Sequence, residues 1–282
     1  MLPQQFDYVA PVTVEEAVQA LSATPNARFL AGSFNLLIDI KTRRVAPPLL
    51  VDLRKIPALH GIERTASGLR IGSMTTLSQL LEDEEIRGTY VALAEALEKT
   101  GDPQIRNQDA IGGHLEYASP SSDISAALVA LGASIDVTGP NGSRAIPADD
   151  FFTGLRQTAL APGELITAVT LPAGPARSAY EKLKHPAHLG AICGVAVALW
   201  LDGDQVARCR LAVTGATDHA QRLPAAEAAL TGWPLVEPRI AEAAAHAADG
   251  LTGISDLQFS ADYRLHMIGV LLRRALVHLR AA

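Results

Sequence analysis

The sequence predicts an α+β protein in two parts, and three observations carry that expectation. Stretches with helical spacing of apolar residues alternate with strand-like stretches rather than repeating as one unit. Several strand patterns are joined by short turns rich in small residues, near Ser67-Gly68, at Pro140-Asn141-Gly142 and at Asp202-Gly203-Asp204. A segment rich in proline, glycine and alanine, AGPARS at 173–178, interrupts the pattern where a domain boundary would fall. The 282 residues suffice for one large domain or two smaller ones, each with its own core.

In chain order, TVEEAVQALS at 13–22 opens with Thr13 and, three residues on, Glu16, the spacing of a capping box. Val14, Ala17, Val18 and Leu21 then share one helical face. Phe29 and Leu30 read as a short buried strand, Ala31-Gly32-Ser33 as a turn, and Phe34 to Lys41 as a helix with Leu36, Leu37 and Ile40 inward. PPLLVDLRKI follows as a strand ending at Pro57. From residue 59 the pattern becomes a β-hairpin, then a helix from about Thr76 and a second helix over 86–100. ASIDVTG alternates as a strand, turns at PNG and returns. GELITAVTLP is a further strand. Beyond the boundary, SAYEKLKH and two long strands at 190–201 and 205–214 precede three alanine- and leucine-rich helical stretches. The last of these is expected to pack on the hairpin before it, with its arginines on a solvated face.

Composition narrows the function classes. Net charge is −6 with no lysine or arginine run, which argues against nucleic acid as the main partner. The longest apolar stretch, GAICGVAVALWL at 190–201, is too short to span a membrane. The N-terminus lacks a basic region followed by an apolar block, so no secretory signal is expected and a cytoplasmic location is. Cys193 and Cys209 are the two cysteines, too few for a cluster that needs four thiolates. Both lie in apolar strand patterns and read as reduced core residues. His185 and His188 are a close histidine pair with no cysteine or carboxylate pattern to complete a metal site.

Two small-residue turns offer chemistry, Ala31-Gly32-Ser33-Phe34-Asn35 and Ile111-Gly112-Gly113-His114. Each exposes backbone N–H groups where bulky side chains would block approach, and together they could hold a pyrophosphate. Neither is a Rossmann fingerprint or a P-loop. Taken alone, each is equally readable as a plain tight turn.

Several segments together resemble the FAD-binding medium subunit of the molybdenum hydroxylase family, of the carbon monoxide dehydrogenase, xanthine dehydrogenase and 4-hydroxybenzoyl-CoA reductase type. They are FDYVAPVTVEEAVQAL, FLAGSFNLL, VDLRKIP, GDPQIRNQDAIGGHLEYASPSSDISAALVALGA, the R-x-IP-x-x-DFFTGLRQTAL stretch, ELITAVTLP and YEKLKH. The resemblance implies a two-lobed FAD-binding domain of the PCMH type over 1–172, with lobes of about 1–57 and 58–172. A small α+β C-terminal domain, an antiparallel sheet with helices, would follow over 177–282. FAD would lie extended between the lobes. Phe29, Leu30, Ala31, Gly32, Ser33, Phe34, Asn35 and Leu36 on one side, and Ala110, Ile111, Gly112, Gly113 and His114 on the other, would wrap its pyrophosphate. Asp123 would sit near the ribose. Thr100, Ile166 and Lys182 occupy positions that contact FAD in relatives, Lys182 to stabilise negative charge on the reduced ring; read by itself, Lys182 is equally a surface lysine.

The resemblance also implies partners, a molybdopterin-binding large subunit and a 2Fe-2S small subunit, with FAD passing electrons from the clusters to an external acceptor. Three positions depart from the family pattern. Ser33 stands for a usual second glycine, and His114 for the usual asparagine. Glu116 stands where relatives have a small or aliphatic residue near one face of the flavin ring, with Leu37 near the other. Glu116 either points to solvent or acts as an acid or base on a ligand at the flavin. Two alternatives to the relay follow: a stand-alone flavoenzyme of the same fold using Glu116, or a non-redox scaffold that has lost FAD.

Overall fold

The computed structural model describes residues 3–32, 34–185 and 189–281. Ser33 and His188, both singled out above, lie outside the described residues, as does the side chain of Phe34.

The first layered unit runs β1 (Asp7–Val9), α1 (Val14–Ala23), β2 (Arg28–Leu30), α2 (Phe34–Lys41) and β3 (Leu49–Asp52). β3 lies between β1 and β2 and parallel to both, with Val51 opposite Val9 and Phe29. The intervening helices supply the crossovers that parallel pairing needs. Thr13 accepts the Glu16 amide at 3.1 Å, as the spacing predicts. The Glu16 carboxylate, however, takes the Val12 amide at 3.0 Å, one residue before the cap. The strand expected to reach Pro57 stops at Asp52, because the Asp52 carboxylate accepts the Arg54 amide and starts a 3₁₀ turn over Leu53–Lys55. Ile40 of α2 is buried, but Leu37 is 36% exposed, which corrects its expected inward placement.

The second unit begins with the hairpin β4 (Ile62–Thr65) and β5 (Gly68–Gly72). α3 (Leu77–Glu82) starts at a reciprocal Thr76–Gln79 cap. The single helix expected over 86–100 is two, α4 (Glu84–Gly88) and α5 (Val91–Glu98). Tyr90 leaves helical geometry between them, its ring buried and its hydroxyl donating to Pro172 O at 2.9 Å. Then come α6 (Pro103–Gln108), α7 (Ile111–Tyr117), α8 (Asp123–Leu131), β6 (Ser134–Gly139), β7 (Gly142–Pro147), α9 (Ala148–Phe151), β8 (Phe152–Gly154), β9 (Gln157–Thr158) and β10 (Leu165–Pro172). β4, β5, β10, β6 and β7 form an antiparallel sheet in that order.

The third unit is the antiparallel sheet β11 (Arg177–Lys184), β12 (Ala191–Asp202), β13 (Gln205–Thr214) and β14 (Gln221–Arg222), with α10 (Pro224–Leu230), α11 (Glu237–Ala245) and α12 (Ala261–Ala281). β12 is buried on both faces, and its alternation sorts residues by size. Val195, Val197 and Leu199 join the core under α12. Ala196 and Ala198 face the other way, into the core that α8 fills with Ala126, Ala127 and Ala130. Small residues on both sides let helix and sheet approach closely, so the C-terminal sheet is wedged between α12 and the second unit. The last helix packs on this sheet as expected, with Arg273 and Arg280 pairing with Glu237 at the surface. Arg264 departs from the expected solvated face: it is buried, and its guanidinium donates to the carbonyls of Ile192 and Gly215.

Leucine in place of Ala196 should therefore overpack the α8 contact and lower the unfolding free energy by about 1–3 kcal/mol, read from urea denaturation. An unchanged midpoint would show that α8 and β12 are not in close contact.

Candidate functional site

The two glycine segments meet. Gly32, at φ +67°, lies so near the other segment that a Cβ there would sit 2.5 Å from both Ala110 N and Gln108 O. A Cβ on Gly113 would lie 2.1 Å from Ala31 O, and one on Gly112 2.6 Å from Ser73 Cβ. No real side chain fits at such distances, so Gly32 and Gly113 are required by the contact of β2–α2 with the start of α7, and Gly112 by the contact of α7 with Ser73 after β5. The expected tight turn at 111–114 is in fact the first turn of α7. Its Ile111 amide donates to Thr75 O at 3.1 Å and its Gly112 amide to Ser73 O at 2.8 Å. The His114 amide donates to Ala110 O at 3.0 Å, so three of the amides expected to face a pyrophosphate are engaged inside the protein, while Gly113 lines a cavity.

Three cavities run on from one another along this contact. The middle one, about 260 Å³, is walled by Phe29, Ala31, Asn35, Leu36, Gly113 and Glu116 among others. It shares Asn35 and Asp109 with a second of about 470 Å³, which reaches Thr100, His114, Ser122 and Asp123. On its other side it shares Arg28, Phe29, Glu116 and Arg156 with a third of about 710 Å³ beneath the 160–164 loop. The result is one extended trough rather than a compact pocket.

At one end of the trough sits a buried polar junction. Lys182 Nζ donates to Asp123 Oδ2 at 2.7 Å, to Lys99 O at 2.9 Å and to Leu189 O at 2.6 Å. Its three protons are therefore all engaged, and its side chain is 2% exposed, which corrects the surface reading. The Tyr180 hydroxyl donates to Asp123 Oδ1, and Thr100 Oγ1 lies 3.3 Å from Oδ2. Burial pushes the Asp123 carboxyl above its ordinary range, against the Lys182 ammonium beside it. Burial, with the Asp123 charge, holds the Tyr180 proton on its oxygen far above the ordinary phenol value. A carboxylate offers about four acceptor positions, so Asp123 keeps capacity for a hydroxyl of a ligand in the trough.

His114 ties the two sides of α7 together. Ser122 Oγ accepts from the Ser125 amide at 3.2 Å and from Ser125 Oγ at 2.8 Å, so its own proton is left for His114 Nε2 at 2.9 Å. That assignment puts the imidazole proton on Nδ1, where it donates to Asp109 Oδ2 at 3.2 Å. An asparagine is too short to span both partners.

Glu116 does not point into open solvent. It is half-buried, lines both the middle and the third cavity, and has no hydrogen-bond partner among the described residues. Burial pushes its carboxyl up to about 7, against the opposing pull of Arg28. Of the remaining candidates, Ile166 is buried in the core beside β6 and does not line the trough. Ala110 and Ile111 are likewise core residues, and Leu37 is exposed outside the three cavities. Arg28, Asp109 and Arg156 were not singled out from the sequence. Asp109 and Arg156 lie within segments that carried the resemblance and Arg28 adjoins one, but Arg156 reaches the trough from the β8–β9 turn, 40 residues beyond Glu116, and its sequence neighbours do not show that it meets Glu116 there.

Comparison with known proteins bears on the same segments. Residues 4–174 match the family model described as the FAD binding domain in molybdopterin dehydrogenase. Residues 178–279 match the CO dehydrogenase flavoprotein C-terminal domain. The carbon monoxide dehydrogenase medium chain of Hydrogenophaga pseudoflava is 35% identical, over 98% of this chain and 97% of that one. The nicotine 6-hydroxylase medium subunit of Paenarthrobacter nicotinovorans is 33% identical, over 96% and 95%. Among solved structures, carbon monoxide dehydrogenase from Hydrogenophaga pseudoflava superposes with a TM-score of 0.95 at 37% identity, covering 100% of this chain and 99% of that one. Quinoline 2-oxidoreductase from Pseudomonas putida 86 superposes at 0.93 with 28% identity, covering 100% and 99%.

Two outcomes follow from the site. A Glu carboxyl raised from 4.5 to about 7 favours the folded state below pH 4.5, and that contribution is lost as pH rises through about 7. Urea unfolding of the protein without ligand should show Glu116→Gln gaining about 3 kcal/mol on the wild type between pH 4.5 and 8; equal pH slopes would contradict the burial of Glu116. Asp123→Ala leaves the Lys182 ammonium buried without its carboxylate and should lower stability by about 3–5 kcal/mol. A loss below 1 kcal/mol would contradict the buried junction.

Proposed function

The chain belongs to the family of FAD-binding medium subunits of molybdenum hydroxylases, and from that premise we propose that it relays electrons through FAD within a multi-subunit dehydrogenase. As a member of that family it is an FAD-dependent oxidoreductase subunit. The observation that carries the proposal is the continuous trough joining the Phe29–Leu36 segment, the Gly113–His114 turn and the Asp123 junction. An extended dinucleotide needs such a channel, with small residues at its waist and polar groups at its end.

The residues present suit FAD. Ala31, Asn35 and Gly113 form the narrow waist where the diphosphate would pass. Asp123, held by Lys182 and Tyr180, would accept a ribose hydroxyl. Lys182 supports this end by holding Asp123 rather than by giving protons to the ligand, and Thr100, whose hydroxyl donates to Ala96 O at 2.8 Å, stands 3.3 Å from the same carboxylate. His114 fixes Asp109 and Ser122 on the walls of the same cavity. Bound FAD would supply the capacity to take up and release electrons singly or in pairs. The lobes on either side of the trough are about 1–57 and 58–172, and the domain over 177–282 closes the Asp123 end through Tyr180 and Lys182.

The partners in this reading are a molybdopterin-binding large subunit and a 2Fe-2S small subunit. The chain's own thiols are poor candidates for a cluster. Cys193 and Cys209 are both buried, and burial pushes them up to about 12 and about 11, away from the thiolate form that binds iron. A second reading, a flavoenzyme in which a ligand at the flavin exchanges a proton with Glu116, is favoured by one observation: that carboxyl lines the trough and titrates near neutral pH.

The purified protein should show flavin absorption in the visible range, with FAD released on denaturation in a 1:1 ratio of about one per chain. It should also be retained by a large molybdenum-containing and a small iron–sulfur chain. Absence of flavin bands, with no recovery on adding FAD, would contradict both readings. Flavin without either partner chain, together with turnover that depends on Glu116, would favour the second.

A further inference from the structure

The third cavity carries a charge pattern that a dinucleotide-binding trough does not require. Arg28 and Arg156, both exposed, line it together with Glu116 where it adjoins the middle cavity. Neither guanidinium has a hydrogen-bond or ion-pair acceptor among the described residues. Arg156 is held in position from two directions: its backbone is in the left-handed region at φ +54°, and its guanidinium lies 4.9 Å from the Tyr117 ring centre. A non-glycine residue kept at positive φ carries strain that the surrounding structure must offset.

Most acidic side chains of the same walls already have hydrogen-bond or ion-pair partners. Glu164 pairs with Arg144 at 2.7 Å and takes the Ala161 amide at 2.7 Å. On the wall of the middle cavity Asp39 pairs with Arg44 at 3.4 Å, and Asp109 accepts the His114 Nδ1 proton at 3.2 Å. Glu116 is the exception, and its burial keeps it largely uncharged below neutral pH. In the third cavity Glu164 is therefore taken by Arg144, and Glu116 is the one remaining lining carboxylate beside two guanidiniums that have no ion-pair acceptor among the described residues. Guanidinium groups bind carboxylates and phosphates through paired N–H donors.

We propose that the cavity of about 710 Å³ beneath the 160–164 loop binds a small molecule through an oxyanion, a carboxylate or a phosphate, held by Arg28 and Arg156. The molecule would meet a cofactor lying in the middle cavity across Glu116. This placement rests on the reading of the trough as the FAD channel. The anion site itself rests on the arginines.

The test uses the FAD-loaded protein, with flavin content measured on each sample from its absorbance. Inorganic phosphate and acetate are titrated separately by calorimetry at constant ionic strength, with chloride as the balancing salt. Saturable binding of at least one is expected, and the preferred ion separates the phosphate source from the carboxylate one. Arg156→Ala should weaken it by about tenfold or more, with flavin content unchanged, and Arg156→Lys should recover part of the loss. Binding that is absent in the wild type, or that stays at the wild-type level in both Arg28→Ala and Arg156→Ala, would overturn the proposal. Loss of flavin from Arg28→Ala, with phosphate and acetate binding unaltered in Arg156→Ala, would also overturn it by assigning Arg28 to the cofactor. Wild-type protein without flavin would contradict the FAD reading alone, since the same titrations still decide the anion site.

Discussion

The buried contact between Asp123 and Lys182 is the constraint on which the arrangement of the site depends. Asp123 begins α8 in the second unit, whereas Lys182 and Tyr180 belong to β11 of the third. Two opposite charges taken out of water are tolerated only when their remaining hydrogen-bonding capacity is met. Here the Tyr180 hydroxyl and the carbonyls of Lys99 and Leu189 meet it. The same seam is reinforced by backbone groups. Glu95 accepts the Tyr180 amide at 2.5 Å, Lys99 donates to the Tyr180 carbonyl, and Ser178 Oγ accepts the Ala92 amide at 3.1 Å. A side chain that closes the trough is thus also a rivet between two units, so geometry at the ligand end is set by packing far from it.

A second constraint acts at the waist. Gly32 and Gly113 let the β2–α2 turn and α7 press together, backbone on backbone. That contact fixes the spacing of the trough walls, and it explains why small residues are needed at both places at once. His114 then extends the same logic from α7 to the cap of α8, through Asp109 on one side and Ser122 on the other. The waist, the histidine bridge and the Asp123 junction form one connected line of polar and backbone contacts.

Much of the local structure was legible in the sequence because its causes are local. The Thr13 cap, the helix start at about Thr76, the hairpin at Ser67-Gly68 and the Asp202-Gly203-Asp204 turn each depend on residues a few positions apart. The family resemblance, spread over many short segments, pointed to the trough. What could not be read were consequences of distant pairing. Lys182 was readable equally as a cofactor contact or as a surface lysine, because its carboxylate lies 59 residues away in sequence. Arg264 looked solvated because the carbonyls it serves come from β12 and the Gly215 turn. The glycines at 112 and 113 were readable either as open donors or as a plain tight turn, since nothing near them in sequence reveals that Ser73 and Ala31 press against them. Glu116 was ambiguous for the same reason, and its surroundings, Arg28 and the Arg156 turn, settle that it faces the trough.

The account rests on FAD occupying the trough in extended form, and hydrogen exchange on the protein with and without FAD tests this most directly. Added FAD should slow exchange together in residues 28–36 and 109–117 and around Ser122–Asp123, leaving the α10–α12 amides unchanged. Protection confined to one of these segments, or spread over the helices of the third unit instead, would contradict it.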